Sequence, residues 1–199
     1  MSGIIGGAGS KSGVIGKKGD GMILLYKKTH SGSSITFDGV FTPKFIIYKI
    51  FINNFYTNVL GAPLYGKFKI GGSDASASAY RHVVRGIKGD SSSFYDTDSV
   101  RGYTDTKFRI DPLLIDNTLG HSFDVELTII DPTNTSTYKR IRYESTNSVP
   151  HGASSGAPDA IVASRGGAVY MDSTAALTGM SFETSGNVEG TVLVYGYRN

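Results

Sequence analysis

Strict alternation of apolar and polar residues constrains this chain more than any other feature. In residues 122–130, Phe123, Val125, Leu127 and Ile129 alternate with Ser122, Asp124, Glu126 and Thr128. That period of two puts every second side chain on one face of an extended strand. The same reading holds for Leu64, Phe68 and Ile70 against Tyr65, Lys67 and Lys69, with Gly66 standing on the apolar side. It holds again for Phe108 and Ile110 against Lys107 and Arg109, and for Ile141 and Tyr143 against Arg140 and Arg142. Residues 45–52 are apolar on both faces except at Lys49, which predicts a central strand covered on both sides. Further strands are expected at 22–27, 33–37, 79–85, 160–164, 180–183 and 191–197. Turn chemistry separates them at Asp38-Gly39, Gly71-Gly72, Lys88-Gly89-Asp90, Asp131-Pro132-Thr133-Asn134, Gly166-Gly167 and Ser185-Gly186-Asn187. Residues 91–106 and 146–158 are polar and read as long loops. No stretch carries a helical period, and about ten or eleven short strands predict an all-β fold, an antiparallel β-sandwich of jelly-roll type.

The chain has 199 residues, 39% of them hydrophobic, and no Cys or Trp. That is enough apolar mass for one core. It also leaves no thiol for a disulfide, a nucleophile or a thiolate zinc site. The longest nearly apolar run, residues 45–52, falls far short of the roughly 20 residues of a membrane-spanning helix. Glycine and serine interrupt residues 1–22 where a secretory leader needs an unbroken apolar stretch, so neither a membrane span nor that leader is expected. The formal net charge is +3, but residues 1–28 carry five Lys against one Asp, whereas the remainder carries 15 basic and 16 acidic side chains. With the excess at one end, no nucleic-acid partner is expected for the body.

Residues 1–21 read as a segment apart from a folded domain at 22–199. Ser2-Gly3-Ile4-Ile5-Gly6 recurs ten residues later as Ser12-Gly13-Val14-Ile15-Gly16. Two β-branched pairs offset little of the entropy lost on ordering such a segment. It is therefore either a leader without structure of its own or an extended arm that needs another surface. Fully extended it reaches at most ~70 Å. As an arm, its apolar pegs are Ile4, Ile5, Val14 and Ile15, and Lys11, Lys17 and Lys18 supply its charge.

Reactive chemistry finds little support. Gly152-Ala153-Ser154-Ser155-Gly156 beside His151 matches a nucleophile-elbow pattern, but no strand leads in and no helix leads out. Lys11-Ser12 lacks the glycines of a phosphate loop, with Ser10 and Ile5 in their places. His30, His82, His121 and His151 are too far apart to hold a metal from one element. Asp96-Thr97-Asp98 opens like a calcium loop but puts Val100 where a third oxygen ligand belongs. No catalytic residue, metal or cofactor is expected. The remaining candidate is 91–106, where Phe94, Tyr95 and Tyr103 stand among Asp96, Asp98, Arg101 and Asp105. Exposed, such rings grip sugars or a partner protein; turned inward, they anchor a loop.

Several segments, taken in order, resemble small virion proteins of tailed bacteriophages of the tail-fibre-like or structural type. They are the opening MSGIIGGAGSKSGVIG, Ile35-Thr36-Phe37, residues 48–52 running into Asn53-Asn54, Val125-Glu126-Leu127, Thr178-Gly179-Met180-Ser181-Phe182, and Gly186-Asn187 with residues 190–197. The resemblance implies a jelly-roll head on the virion, assembled in the host cytoplasm, often as a homotrimer, with an N-terminal anchor. Two departures are the absence of Trp and of a long shaft between anchor and head, which favours a compact subunit. The expectation is a non-enzymatic virion protein whose arm docks on capsid, tail or fibre subunits. Its head would adhere to a host-surface glycan through Phe94, Tyr95, Asp96, Asp98 and Tyr103. The alternatives are a capsid or tail decoration protein that stabilises the particle and, third, an enzyme acting on surface polysaccharide.

Overall fold

The computed structural model describes residues 21–59, 63–75, 80–89, 94–111, 123–149 and 161–198, with backbone alone at 84–89, 94–104, 111, 123, 147–149 and 161–165. All regular structure in them is strand: β1 (Met22–Phe37), β2 (Ile47–Thr57), β3 (Leu64–Ile70), β4 (Ser73–Asp74), β5 (Tyr80–Gly89), β6 (Phe94–Asp105), β7 (Phe108–Asp111), β8 (Phe123–Ile130), β9 (Lys139–Val149), β10 (Ile161–Met171) and β11 (Gly179–Tyr197). Every ladder is antiparallel, and all the strands join one curled sheet.

The sheet is organised around β11. Its C-terminal part, Val188 to Tyr197, pairs with β2, and its start, Gly179 to Glu183, pairs with β3. β1 flanks both parts on the other side. From β2 the ladder continues through β8, β9, β10 and β5 to β6, while β3 carries β4 and β7. The sheet thus forks at β11, and β7 on the short branch packs against β5, β9 and β10 on the long one.

Alternation decides which side faces in. In β2, Tyr48, Ile50 and Ile52 are buried while Ile47, Lys49 and Phe51 are only partly covered. The expected central strand is there, but its second face is half open. β3 and β8 keep the register read from their sequences, with Leu64, Phe68, Val125, Leu127 and Ile129 all in the core.

Several boundaries differ from expectation. The two strands expected at 22–27 and 33–37 are one, because β11 pairs the polar stretch between them; Thr29 Oγ1 and Thr191 Oγ1 lie 2.9 Å apart, and Ser31 donates to Glu189 over 3.2 Å. The two expected at 180–183 and 191–197 are likewise one. At the expected turn Ser185-Gly186-Asn187 the strand does not end; residues 184–187 are extruded from the β1 ladder, whose register passes from Gly32–Val188 to Ser34–Glu183. Gly166-Gly167 is no turn but lies within β10. A Cβ on Gly167 would meet the Tyr143 ring and, at 2.6 Å, the Val83 carbonyl oxygen, so the missing side chain serves close packing rather than a reversal. Gly66 is bare for the same reason, with the Phe108 ring over it. Finally, most of the loop expected at 91–106 is β6, and β9 extends into the one expected at 146–158, because both segments find partners in the ladder.

Three tyrosines, Tyr48, Tyr80 and Tyr143, are fully buried, and each sets its hydroxyl on backbone outside its own strand. Tyr48 accepts from the Thr42 amide (2.7 Å) and donates to the Thr42 carbonyl (2.8 Å), which pins the segment between β1 and β2. Tyr80 accepts from the Phe68 amide at 2.8 Å while its ring packs 5.6–5.7 Å from those of Phe108 and Phe68. Tyr143 donates to the Arg109 carbonyl at 3.1 Å. The last two bonds join β5 and β9 to β3 and β7 and so close the fork. Burial pushes the Tyr80 phenol up to about 12, so it stays protonated through the neutral range.

Tyr80→Phe leaves the buried Phe68 amide without its acceptor; the expected loss is about 1–2 kcal/mol, read as a Tm lower by roughly 2–8 °C in thermal denaturation. Acid sensitivity follows from His82, 8% exposed, whose imidazole burial holds below its ordinary value of 6.5 while Asp105 pulls it up and Arg109 pushes it down. The unfolded chain therefore takes up this proton first, so the contribution is complete above 6.5 and declines as pH falls below it. Tm measured against pH should drop on that side, and less steeply in His82→Gln.

Candidate functional site

On the solvent side of β8, β9 and β10 lies an open depression of about 1080 Å³. Its floor is the outward set of the alternation, including Lys49, Glu126, Thr128, Arg142 and Glu144, and its wall is the β8–β9 connection, residues 131–138. That connection is held by its own polar groups. Asp131 adopts φ +49°, a left-handed geometry that Asp tolerates. Its carboxylate accepts from the Asn134 side-chain amide (2.8 Å), and Asn134 Oδ1 in turn accepts from the Ser136 amide (2.7 Å). The Leu177 amide donates to the Pro132 carbonyl at 3.0 Å, tying the turn to the segment before β11. Beneath it Lys139, 1% exposed, donates its ammonium to the Asn134 carbonyl. Burial lowers the Lys139 pKa, and Asp131 draws it partly back.

This frame presents Tyr138, 49% exposed. Its ring centroid lies 5.3 Å from that of Tyr170 on β10, the planes inclined by 51°. Arg81 on β5 has its guanidinium carbon 5.9 Å from the Tyr170 centroid and pairs with Asp172 at 3.7 Å. The register aligns Arg140, Tyr170 and Arg81 in one row across β9, β10 and β5. One row along, Arg142 reaches Glu144 at 3.1 Å, and Lys49 is bonded to Glu126. Among the described residues, Arg140 has no ion-pair partner. Partial burial raises the Tyr170 pKa, Asp172 and Tyr138 add to the rise, and Arg81 and Arg140 oppose it. The surface offers phenols, guanidinium forks and carboxylates together, which suits hydrogen bonding and stacking.

The residues singled out from sequence lie elsewhere. Ile4, Ile5, Lys11, Val14, Ile15, Lys17 and Lys18 fall outside the described residues, as do His151 and the 152–156 pattern. Phe94, Tyr95, Asp96, Asp98 and Tyr103 belong to β6, a strand rather than a loop; Phe94, Tyr95 and Asp96 pair with Gly89, Lys88 and Ile87 of β5. Their side chains are outside the described set. Asp98 lies in a register shift between the Gly86–Thr97 and Val84–Val100 pairs, so the calcium-loop likeness at Asp96 and Asp98 falls on extended backbone. Among the described residues no group of three or more His, Asp or Glu is placed to hold a metal. Sequence reading passed over Tyr138, Arg140, Tyr170 and Arg81, whose only signal was their outward phase in the alternation.

Comparison with known proteins gives no match to any family model, curated protein or solved structure.

Lys139→Met should lower stability by about 1–3 kcal/mol by leaving the Asn134 carbonyl unpaired, and should speed hydrogen exchange in residues 131–138 before the rest of the sheet.

Proposed function

We propose that this is a non-enzymatic structural protein of a bacteriophage virion, with the N-terminal segment docked on the particle and the β body displayed for adhesion to host-surface glycans. In this reading the body closes as a jelly-roll-type sandwich. Pairing of β1 with β11 and the packing of β7 across β5, β9 and β10 support that closure. The observation that carries adhesion is Tyr138, exposed beside Arg140 at the end of a turn held by its own hydrogen bonds, its ring packed on the partly buried Tyr170 of β10. A ring fixed in advance binds a sugar face at little entropic cost. Weak single sites suffice when the protein is a homo-oligomer, with a trimer favoured, because attachment is then multivalent.

A capsid or tail decoration role is the second reading, and a separate strip of surface favours it. Met22, Tyr197 and Ile47 lie side by side across β1, β11 and β2, followed by Ile130 on β8, which is 65% exposed; Leu24, 47% exposed, stands in the adjoining row beside Tyr195. Apolar side chains lined up in this way suit packing against a particle.

The two readings separate in one experiment on particles and cells. Under the adhesion reading, removing residues 2–18 abolishes incorporation into particles, the truncated protein still coats host cells, and Tyr138→Ala lowers coating about fivefold. Under the decoration reading, Leu24→Asp blocks incorporation with residues 2–18 intact, and Tyr138→Ala changes nothing.

A further inference from the structure

We infer that the Arg140–Tyr170–Arg81 row, with Tyr138 beside it, is a binding site for an acidic polysaccharide whose charged groups are sugar carboxylates. This rests on the adhesion reading and specifies its ligand. The register fixes the spacing: Arg140 is opposite Tyr170 and Tyr170 opposite Arg81, so the arginines flank the ring two strand separations apart, roughly 10 Å. A polymer lying across the strands could rest one sugar ring on Tyr170 or Tyr138 and present carboxylates to the guanidinium on each side.

Charge complementarity selects the acidic class. The Arg81–Asp172 contact is a 3.7 Å pair with both side chains about half exposed, and the Arg142–Glu144 pair is more exposed still. Such surface pairs hold weakly and can yield to a ligand carboxylate bound bidentately. Arg140 lacks even such a competitor among the described residues. Acids stand in the depression that Tyr138 and Arg140 line, and they repel phosphates and sugar carboxylates alike. Glu126 and Glu144 lie in that depression. Toward a sugar the same carboxylates are useful, since they accept hydrogen bonds from its hydroxyls.

The test uses the full chain and measures binding to immobilised polygalacturonate and hyaluronate, to methyl-esterified polygalacturonate in which the same backbone has lost its charge, and to polyuridylate. The expected result is binding to the two acidic glycans that weakens with added salt, little binding to the ester, and none to the RNA. Arg140→Ala should weaken binding about tenfold, with Arg140→Lys recovering only part of it because an ammonium cannot form the fork. Tyr138→Ala should weaken binding to both acidic glycans. Equal binding to acid and ester, unaffected by Arg140→Ala, would overturn the acidic assignment and leave glycan adhesion standing. Preference for polyuridylate, or failure to bind either acidic glycan by a protein that still coats cells, would overturn it too. Absence of cell coating would remove the adhesion reading itself.

Discussion

The curled sheet depends on buried hydroxyls at places where a backbone ladder cannot reach. An antiparallel strand satisfies its amides and carbonyls only through neighbours in its own sheet, and a branch that folds across the sheet brings groups into the interior with no such neighbour. Tyr80 and Tyr143 answer both demands at that crossing. Their rings add apolar area, and their oxygens pair with Phe68 and Arg109 backbone. Tyr48 does the same for Thr42. Without cysteine, no disulfide can take this part.

Alternation made the inner face legible. Val125, Leu127, Ile129, Phe68 and Phe108 were all assigned to it from phase alone, and all are buried. Partnership was not legible. The polar middle of β1 has no strand signal of its own; it is extended because β11 offers matching groups such as Thr191. Glycines were ambiguous for a related reason: a turn glycine and one that makes room for a ring look identical in sequence. Gly71 and Gly72, with φ of +56° and +87°, are the first kind, whereas Gly66 and Gly167 are the second.

The candidate site was the least legible part, since its members are far apart along the chain. Arg81, Arg140 and Tyr170 become neighbours only when β5, β10 and β9 take their places. The aromatic run at 94–103 drew notice because its members are close in sequence, and in extended backbone such closeness is a poor guide to a shared surface. The turn Asp131-Pro132-Thr133-Asn134 was read correctly as a reversal. Its second role, holding a ring in place above a buried ammonium, depends on Lys139, which sequence would place in water.

The central position of β11 bears on how the chain is made. Among the described residues β1 pairs with β11 alone, and β3 meets the main body of the sheet through it. A ribosome delivers the sixteen residues of β1 long before that partner. Until then their amides must stay with water or with a chaperone. The hairpin of β8 and β9 can assemble early, but the fork cannot. Closure of the fork therefore waits for β11, with the slow kinetics of a fold built on distant pairings.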